Sequence, residues 1–354
     1  MKGIILHGGH GTRLRPLTHT GPKQLLPIAN KPMSQYALES LIKGGIVDIA
    51  IIVGGIGSSK VKDYYGDGKK FGANITYVEQ NEPKGIAHAI GLCKNFVGSD
   101  KFVVFLGDNI LDKNISEFVQ NFDKSNVSAM LLLSKVINPS QFGIATVKND
   151  KIIQIVEKPK NSVSNLAVTG IYFLTNEIFT IIESLQPSWR NELEISDALQ
   201  LLIEQKKLIN FDIVTDYWKD TGTPTDILHA NQRILQNLES YSTTNDEYLI
   251  DKNYKLLIGN RTNIQENCKI IGPVIIGQNC IIDQDAKIGP NVSIGDNSKL
   301  SACDIENSII MENCEVNCKI KIRDSIIASG SKILQNVRSN EKIFLLGEGT
   351  KVSF

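Results

Sequence analysis

Residues 1–18 read MKGIILHGGHGTRLRPLT, which is the pattern of a buried strand that runs into a glycine-rich loop. The strand is 3–6, and three of the four residues 8–11 are glycine. Such a loop lets backbone N–H groups approach a phosphate, and Arg13 adds a guanidinium that can bind the phosphate oxygens. The spacing matches neither the dinucleotide-binding GxGxxG pattern nor a Walker loop, which ends in Gly-Lys-Ser/Thr. We therefore expect a phosphate-binding loop at the carboxyl edge of an α/β sheet.

Apolar runs alternate with helical patterns from this loop to about residue 106. The elements predicted there are, in order, helix 34–43, strand 48–53, helix 58–65, strand 75–78, helix 84–96 and strand 101–106. Strand patterns then follow one another more directly, at 127–136, 143–147, 151–156 and 168–173. Alternation of the first kind is typical of a parallel sheet with helices on both faces. The predicted fold class is therefore α/β, with a Rossmann-like, mixed and mostly parallel sheet.

The last hundred residues carry a six-residue repeat. An apolar residue stands at every sixth position from Ile258 to Leu300, and the period resumes at Ile310 and runs to Leu334. This period, with Gly, Asn and Asp between the apolar positions, is typical of a parallel β-helix, in which each repeat supplies one short strand and one turn. Similarity to hexapeptide-repeat proteins implies a left-handed β-helix. The ten-residue step from Leu300 to Ile310 predicts a protruding loop or a misfit coil.

Glycines at the corners of this repeat and the asparagines near them are expected to serve turns that need a positive φ. The glycines are Gly272, Gly277, Gly289 and Gly295. Five of the six cysteines also fall in this region, and no two of the six form a CxxC pair. We therefore expect free thiols in a packed core in preference to a zinc site or disulfides.

The length of 354 residues favours two domains. The repeat bounds them at residues 1–240 and 248–354, with a polar joint between them. Basic and acidic side chains number 38 each, so the chain lacks the basic excess typical of proteins that bind nucleic acid or membrane surfaces. No apolar run approaches the roughly 20 residues of a membrane helix, and the first residues have a strand pattern without the charged and apolar regions of a signal peptide, so we expect none. We expect a soluble, cytoplasmic protein whose partners are small molecules and further copies of itself.

Nine stretches, in order along the chain, resemble the motifs of the sugar-1-phosphate nucleotidylyltransferases. They are GGHGTRLRPLT (8–18), PKQLLPI (22–28), NKPM (30–33), EPKGIAHAI (82–90), FLGDN (105–109), IVEKP (155–159), VTGIYF (168–173), RNELEISD (190–197) and YWKDTGTP (217–224). The resemblance covers the chain to about residue 240, and the fused repeat is similar to the long forms of that family. The KQLLP and ELEISD segments favour the thymidylyl branch over the mannose-guanylyl and ADP-glucose branches.

This resemblance implies a transfer reaction between two anionic substrates. A phosphate oxygen of a sugar 1-phosphate attacks the α-phosphorus of a nucleoside triphosphate, and pyrophosphate leaves. The branch favours dTTP and glucose 1-phosphate as substrates and dTDP-glucose as the product. Because two polyanions must meet, such a site mainly neutralises charge and aligns the substrates.

The resemblance also implies which residues bind the nucleotide. Arg13 and Lys23 are the expected catalytic cations, which stabilise the α-phosphate and the departing pyrophosphate. The residues expected at the nucleotide are Leu6, Gly8, Gly9, Gly11, Thr12, Gln24, Gln80 and Gly85. Among them, Gln80 is expected to hydrogen-bond the pyrimidine edge, with Gly85 close to the base.

Two aspartates are the expected ligands of Mg²⁺. Asp108 follows a buried apolar strand, and Asp220 lies in the YWKDTG segment. Carboxylate oxygens combined with substrate phosphates suit Mg²⁺, which keeps several waters. Glu157 is assigned to sugar hydroxyls. The full set expected at the sugar phosphate is Gly143, Glu157, Lys158, Val168, Gly170, Arg190 and Trp218, with Lys158 and Arg190 as the phosphate-binding cations.

Two residues depart from the usual motif. His7 stands where the short forms commonly have alanine, and Phe142 stands where they often have tyrosine. Both changes leave Arg13, Lys23 and the aspartate pair in place, so we expect them to affect selectivity more than activity.

Alternatives to the thymidylyl reaction remain open at this point. One is a UTP-dependent uridylyltransferase, because pocket shape decides between dTTP and UTP. Another is an inactive regulatory or scaffold homologue. A third is a bifunctional enzyme with an acetyltransferase tail. That activity commonly needs a histidine base near the repeat, and it is disfavoured because every histidine precedes the repeat. The histidines are His7, His10, His19, His88 and His229.

Overall fold

A computed structural model describes residues 1–9, 11–238, 248–251 and 255–335, with only the backbone for residues 248–251. The helices are α1 (Met33–Lys43), α2 (Ser58–Tyr65), α3 (Ile86–Leu92), α4 (Lys94–Val97), α5 (Ser116–Lys124), α6 (Glu177–Ser184), α7 (Ile195–Glu204) and α8 (Pro224–Gln236). The strands are β1 (Lys2–Leu6), β2 (Pro27–Ile28), β3 (Lys31–Pro32), β4 (Asp48–Val53), β5 (Asn74–Glu79), β6 (Phe102–Leu106), β7 (Asn109–Leu111), β8 (Ala129–Lys135), β9 (Gly143–Lys148), β10 (Lys151–Glu157), β11 (Leu166–Leu174), β12 (Ile209–Ile213), β13 (Trp218–Asp220), β14 (Tyr248–Asp251), β15 (Leu256–Gly259), β16 (Asn263–Ile264), β17 (Lys269–Ile270), β18 (Val274–Ile276), β19 (Ile281–Ile282), β20 (Lys287–Ile288), β21 (Val292–Ile294), β22 (Lys299–Glu306), β23 (Ile309–Ile310), β24 (Glu315–Arg323), β25 (Ile326–Ile327) and β26 (Lys332–Leu334).

Tertiary contacts divide the chain into two compact units. The first comprises Met1–His10, Thr20–Leu25 and Met33–Asp220. The second comprises Gly11–His19, Leu26–Pro32 and Thr221–Phe354. The joint predicted after residue 238 lies outside the described residues, so the domain bounds 1–240 and 248–354 stay a prediction.

A nine-stranded mixed sheet forms the centre of the first unit. Its continuous path is β10-β9-β11-β6-β1-β4-β5, and β8 pairs with both β11 and β12. The strands β6, β1, β4 and β5 run parallel, whereas β11 is antiparallel to β6, β8 and β9. Both faces are covered, since Ile4 packs in one apolar cluster and its neighbour Ile5 in another. These observations confirm the expected α/β class with a mixed sheet.

The single helix predicted at 84–96 is in fact two helices, α3 and α4. Gly85, with φ +100 and ψ 170, has a conformation outside the helical region, so α3 begins only after it. Cys93 separates the two helices, and its N–H donates to Ile90 O at 2.9 Å. The shorter α3 leaves residues 80–85 as an ordered loop beyond the sheet edge.

A parallel β-helix makes up most of the second unit. The strands β15, β18, β21, β23 and β25 stack along one face. A regular coil spans 18 residues, as the pairing of Val274 with Val292 shows. The apolar positions of the repeat point inward, and Ile276, Ile282 and Ile288 are fully buried. The expected parallel β-helix is thus confirmed.

The ten-residue step in the repeat is a shortened coil. Ser293 pairs with Ile309, only 16 residues later. The strand β22 runs on through the position where a corner would lie, and the register shifts between Ser301 and Cys303. Of the two expected outcomes, the structure therefore has the misfit coil.

Positive φ at the corners of the β-helix falls mainly on asparagine and aspartate. Residues with φ between +54 and +60 there are Arg261, Asn279, Asp285, Asn291, Asn297 and Asn313, which confirms the prediction for the asparagines. Of the four predicted glycines only Gly289 has a positive φ, so that prediction was wrong for Gly272, Gly277 and Gly295. A Cβ on Gly277 would lie 2.2 Å from Asp296 Oδ1, and one on Gly295 would lie 2.5 Å from Glu312 N. At these two positions glycine lets adjacent coils stack closely.

All six cysteines are free thiols, and four of them are buried. Burial raises the pKa of Cys93 and of Cys303 to about 12, so these thiols stay protonated at neutral pH. They act as small apolar side chains in the core, as the sequence predicted.

The helix α8 belongs to the second unit and packs against the first coils of the repeat and the β2–β3 hairpin. Its N-cap is Thr223, whose Oγ1 accepts a hydrogen bond from Asp226 N at 3.2 Å. The buried amide of Asn231 joins three segments, because its Oδ1 accepts from Ala29 N at 2.8 Å and from Ser293 Oγ at 2.7 Å. In the parts of the chain that the structure describes, no helix is both long and apolar enough to span a bilayer.

Candidate active site

The two predicted metal ligands lie on adjacent short strands of the first unit. Asp108 directly precedes β7, and Asp220 is the last residue of β13. The two strands pair antiparallel, with Asp220 opposite Asn109. Both aspartates line one cavity of about 190 Å³. The structure thus brings together two carboxylates that lie 112 positions apart (220 − 108) in the sequence.

Lys23 forms an ion pair with Asp108. Both side chains are well buried, with 14% of Lys23 and 13% of Asp108 exposed. Burial acts to raise the pKa of Asp108, but the Lys23 ammonium and hydrogen bonds to the carboxylate outweigh it and hold that pKa below its usual value. Asp108 is therefore ionised at neutral pH, next to a fixed positive charge.

The residues around this pair fit a magnesium ion. Both carboxylates line one cavity, and the low pKa of Asp108 keeps it in the ionised form that binds metal. Within the described residues no group of three or more His, Cys, Asp or Glu side chains could hold a metal by itself. Mg²⁺ commonly uses one or two carboxylates and completes its octahedron with waters and substrate phosphates. The donor set therefore suits Mg²⁺ better than a metal that requires an all-protein cage.

All seven residues expected at the sugar phosphate line the same cavity. Glu157, the last residue of β10, pairs with Gly143, the first of β9. Lys158 follows with φ +43, and its N–H donates to Phe142 O at 2.9 Å. This left-handed residue turns the chain away from the strand and lets both Glu157 and Lys158 border the cavity.

The charged wall of the cavity is more acidic than the sequence indicated. Arg190 lies 3.6 Å from Glu157 Oε1, 3.0 Å from Glu192 Oε1 and 3.2 Å from Glu194 Oε1. Ser196 Oγ also hydrogen-bonds Glu157. Burial raises the pKa of Glu194, whose side chain is 5% exposed. A phosphate at Arg190 would therefore have to compete with carboxylates that already hold the guanidinium.

An aromatic and amide layer connects this wall to the aspartates. Trp218 Nε1 donates to Asn109 Oδ1 at 2.7 Å, and Asn109 Nδ2 donates to Asp108 Oδ1 at 3.1 Å. Phe142 packs edge-on against Trp218, with ring centroids 5.6 Å apart. A Cβ on Gly170 would lie 2.8 Å from Asn109 Nδ2, so glycine is required beside this amide. Sequence reasoning did not assign Asn109, although it stands inside the FLGDN motif.

Two buried side chains, Gln24 and His7, lie next to the glycine-rich loop. Gln24 is 1% exposed, and its Nε2 donates to Gly8 O at 2.7 Å. The side chain expected to contact the nucleotide thus braces the loop that carries Gly8. His7 is also buried, at 3% exposed, and its burial lowers the pKa to about 3 against an opposing effect of Asp108. The imidazole is therefore neutral at physiological pH.

Gln80 and Gly85, which are expected to contact the nucleobase, lie together in the loop between β5 and α3. Gln80 Nε2 donates to Gly85 O at 3.3 Å and lies 2.9 Å from His88 Nδ1. A Cβ on Gly85 would lie 2.4 Å from Leu193 O, so only glycine fits there. His88 was not among the predicted site residues, though it lies in the same EPKGIAHAI motif.

The rest of the glycine-rich loop belongs to the second unit. Gly11 has φ +60, and its carbonyl accepts from Thr18 Oγ1 at 2.9 Å. Thr12 and Arg13 are exposed. A Cβ on Gly222 would lie 3.0 Å from Arg13 Nη2, so the absence of a side chain there leaves room for the guanidinium. The catalytic role of Arg13 stays a prediction.

A family model described as nucleotidyl transferase matches residues 2–237. The chain belongs to the nucleotidyl transferase family. A second model, described as the GMPPB C-terminal domain, matches residues 270–353. These two matches cover the first unit's sheet and most of the repeat.

Relatives of this nucleotidyl transferase match it over most of its length. The low-salt glycan biosynthesis nucleotidyltransferase Agl11 of Haloferax volcanii is 43% identical over 94% of this chain and 94% of its own. The glucose-1-phosphate thymidylyltransferase of Streptomyces antibioticus is 39% identical over 99% of each chain. The bifunctional protein GlmU of Methanococcus vannielii is 35% identical over 99% of this chain and 85% of its own.

Two solved structures resemble about two thirds of this nucleotidyl transferase. One, from Bacillus anthracis and provisionally described as a glucose-1-phosphate thymidylyltransferase in complex with a sucrose, is 40% identical with a TM-score of 0.65, over 69% of this chain and 98% of that one. The other is a UDP-glucose pyrophosphorylase complexed with UDP-glucose, 27% identical with a TM-score of 0.60, over 67% of this chain and 98% of that one. The family and these relatives support nucleotidyl transfer to a sugar phosphate.

Proposed function

We propose that this chain transfers a thymidylyl group from dTTP to glucose 1-phosphate and releases pyrophosphate and dTDP-glucose. The observation that supports the proposal most is the composition of the cavity of about 190 Å³. It is lined by both aspartates expected to bind metal and by all seven residues expected at the sugar phosphate. The relative from Streptomyces antibioticus, 39% identical over nearly the whole chain, favours the thymidylyl branch.

The chemistry needs charge control more than acid–base catalysis. A phosphate oxygen of the sugar 1-phosphate forms a bond to the α-phosphorus while the bond from that phosphorus to the β-phosphate oxygen breaks. The bonding electrons leave with pyrophosphate, so no side chain has to transfer a proton. Lys23 is held beside the cavity by its ion pair with Asp108 and can stabilise the negative charge that builds up.

Magnesium is part of this proposal. Asp108 and Asp220 would hold the ion, which would neutralise phosphate charge and align the triphosphate. The ion pair with Lys23 keeps Asp108 ionised for this purpose. Removing the divalent ion with a chelator should therefore abolish turnover, and adding MgCl₂ should restore it.

Glu157 and Lys158 are the proposed contacts of the sugar phosphate. Both border the cavity, and their charged groups lie 3.8 Å apart. Lys158→Ala should raise the KM for glucose 1-phosphate more than the KM for the triphosphate, because it removes a cation on the sugar side. Lys160→Ala is the matched control, since Lys160 is an exposed lysine two positions further along the chain.

A pyrophosphate-release assay tests the proposed function. The full chain is mixed with Mg²⁺, glucose 1-phosphate and, in separate reactions, dTTP, UTP, dCTP, GTP or ATP. The highest kcat/KM is expected with dTTP. A higher kcat/KM with UTP would favour the uridylyl alternative. The similarity to a UDP-glucose pyrophosphorylase supports that alternative. If no triphosphate is turned over with any of a panel of sugar phosphates, the enzyme proposal is wrong and the inactive homologue replaces it.

Acetyl transfer by the repeat is not part of the proposal. A relative named bifunctional protein GlmU is 35% identical, but this sequence has no histidine after His229. Self-association of the chain stays a prediction, which light scattering of the purified protein would test.

A further inference from the structure

The hydrogen bonds around Gln80 determine which end of its amide points outward. A carbonyl oxygen can only accept, and Gly85 O already accepts from Ala89 N at 3.2 Å. The amide atom that lies 3.3 Å from Gly85 O must therefore be the NH₂ group of Gln80. This assigns the orientation of the amide from its partners, without reference to the ligand.

The same NH₂ group lies 2.9 Å from Nδ1 of His88. A donor requires an acceptor, so Nδ1 must carry a lone pair and the ring proton must be on Nε2. Each hydrogen of the amide then has one partner, Gly85 O or His88 Nδ1. Among the residues that the structure describes, Oε1 of Gln80 accepts no hydrogen bond, so it remains available to a ligand.

The backbone around this pair leaves little freedom for rearrangement. Gln80 N donates to Val53 O at 2.8 Å, and a Cβ on Gly54 would lie 2.1 Å from Gln80 O. Leu193 fixes the far side of the loop, since its N–H donates to Lys84 O at 2.8 Å. Gln80 is 8% exposed, so its amide cannot easily rotate into solvent to change partners.

On this basis we propose that His88 is a positioning residue that fixes the Gln80 amide with its carbonyl outward and so sets the preference for the base. The inference rests on the proposed function, in which Gln80 addresses the pyrimidine edge. An outward carbonyl accepts from the N3–H of thymine or uracil and repels the N3 lone pair of cytosine. His88 thereby selects an imino N–H at position 3 without touching the base.

Protonation of His88 removes this selection. An Nδ1–H would face the NH₂ group of Gln80, and flipping the amide would bring Oε1 against Gly85 O. Burial and the charge of Lys84 lower the pKa of His88, and Glu82 opposes them. Both of those charged groups lie on the loop that precedes α3. The ring is therefore neutral at pH 7 and gains a proton only below its usual pKa of about 6.5.

The test compares kcat/KM for dTTP with kcat/KM for dCTP in wild type and in two His88 variants. His88→Ala removes the acceptor and should reduce the dTTP:dCTP ratio about tenfold. His88→Asn keeps an acceptor, its Oδ1, near the position of Nδ1 and should retain most of the ratio. Between pH 8 and 5.5 the wild-type ratio should fall, whereas in His88→Asn it should stay constant because that side chain does not titrate.

Leu92→Ala is the matched control, since Leu92 lies on the same helix with 41% of its surface exposed. Equal ratios in wild type and His88→Ala, with unchanged melting temperatures, would overturn the inference. If wild type turns over no triphosphate, the proposed function fails. Calorimetric titration with dTMP and dCMP then still tests the role of His88. Tighter binding of dTMP in wild type that is lost in His88→Ala would support this role. Equal binding of the two nucleotides, or no binding, would refute it.

Discussion

The sheet unit and the β-helix differ in whether their buried polar side chains are hydrogen-bonded. In the sheet unit, buried side-chain atoms without a hydrogen-bond partner occur at His7, Gln24 and Thr169. One more, on His19, lies in the second unit before the repeat, and none occurs in the described repeat, 255–335. In the repeat, buried hydroxyls such as Ser298 Oγ are paired, here with Met311 O at 3.1 Å. A buried polar group without a hydrogen bond destabilises the fold. Such groups are therefore expected mainly where function, and not stability, determines the residue. Under the proposed function, the sheet unit would supply Lys23 and both aspartates, and the repeat would mainly contribute packing.

The largest effect that would sharpen this contrast is expected from Asp108→Asn. The change removes the negative charge beside Lys23 and one proposed metal ligand, so turnover should fall by about 100-fold or more. The chain should still fold, because asparagine has nearly the same shape, and its melting temperature should fall because the buried Lys23 loses its counter-charge. Pyrophosphate release and thermal melting measure the two outcomes.

Asp123→Asn serves as the control for the loss of one negative charge, since Asp123 is exposed on α5. Near-normal turnover in Asp108→Asn would remove Asp108 from the site. Failure of the variant to fold would instead make its role structural.

The repeat should respond in the opposite way, with a large loss of stability and little change in chemistry. Ile282 is fully buried, whereas its neighbour Ile281 is 37% exposed. Ile282→Ala should lower the free energy of unfolding by about 2–4 kcal/mol through lost burial and the cavity left behind. Denaturant unfolding measures the change, and kcat of the folded fraction should stay near that of wild type.

Ile281→Ala is the matched control and should cost less than about 1 kcal/mol. If both variants lost the same stability, the inward orientation of the six-residue positions would be wrong. If Ile282→Ala reduced kcat strongly while the protein remained folded, the division of roles between the units would fail.

These two regions also differ in how far the sequence predicted them. A six-residue period needs only local information, so the buried positions from Ile276 to Ile288 followed from it directly. The role of Gly277 did not follow, because it depends on the adjacent coil, where Asp296 would meet a Cβ.

The candidate site was predictable through its motifs and less so through its contacts. Motif resemblance named Asp108 and Asp220, which line one cavity. It missed Asn109, whose amide links Trp218 to Asp108, and it gave no sign that three glutamates surround Arg190. Such contacts join residues that lie far apart along the chain or depend on side-chain direction, which periodicity and motif spacing do not report.

The buried imidazole of His7 should make the stability of the sheet unit depend on pH. Its pKa is about 3 in the folded protein and about 6.5 when unfolded, so the unfolded state binds one more proton between these values. Stability is unaffected above the unfolded value and decreases as pH falls below it. The loss from pH 7 to pH 5 is expected to be about 2 kcal/mol.

Chemical unfolding of wild type, His7→Ala and His7→Asn at pH 7, 6 and 5 measures this slope. Both variants should show a shallower decrease, whatever their stability at pH 7, since neither side chain titrates. An unchanged slope in both would mean that the imidazole is already protonated or paired in the folded state.

The smallest effect concerns Asn231, a buried residue of the second unit whose Oδ1 is hydrogen-bonded, as the buried hydroxyls of the repeat are. Its Oδ1 accepts from Ala29 N and Ser293 Oγ, and the surrounding cluster contains Leu235, Leu257 and Ile275. Asn231→Ala leaves both donors buried without an acceptor and should destabilise the second unit by about 1–2 kcal/mol. Gln236→Ala on the exposed face of α8 should change stability by less than about 0.5 kcal/mol. A loss of stability in Asn231→Ala no greater than in the control would show that water replaces the amide, and the contrast between the regions would then rest on the sheet unit alone.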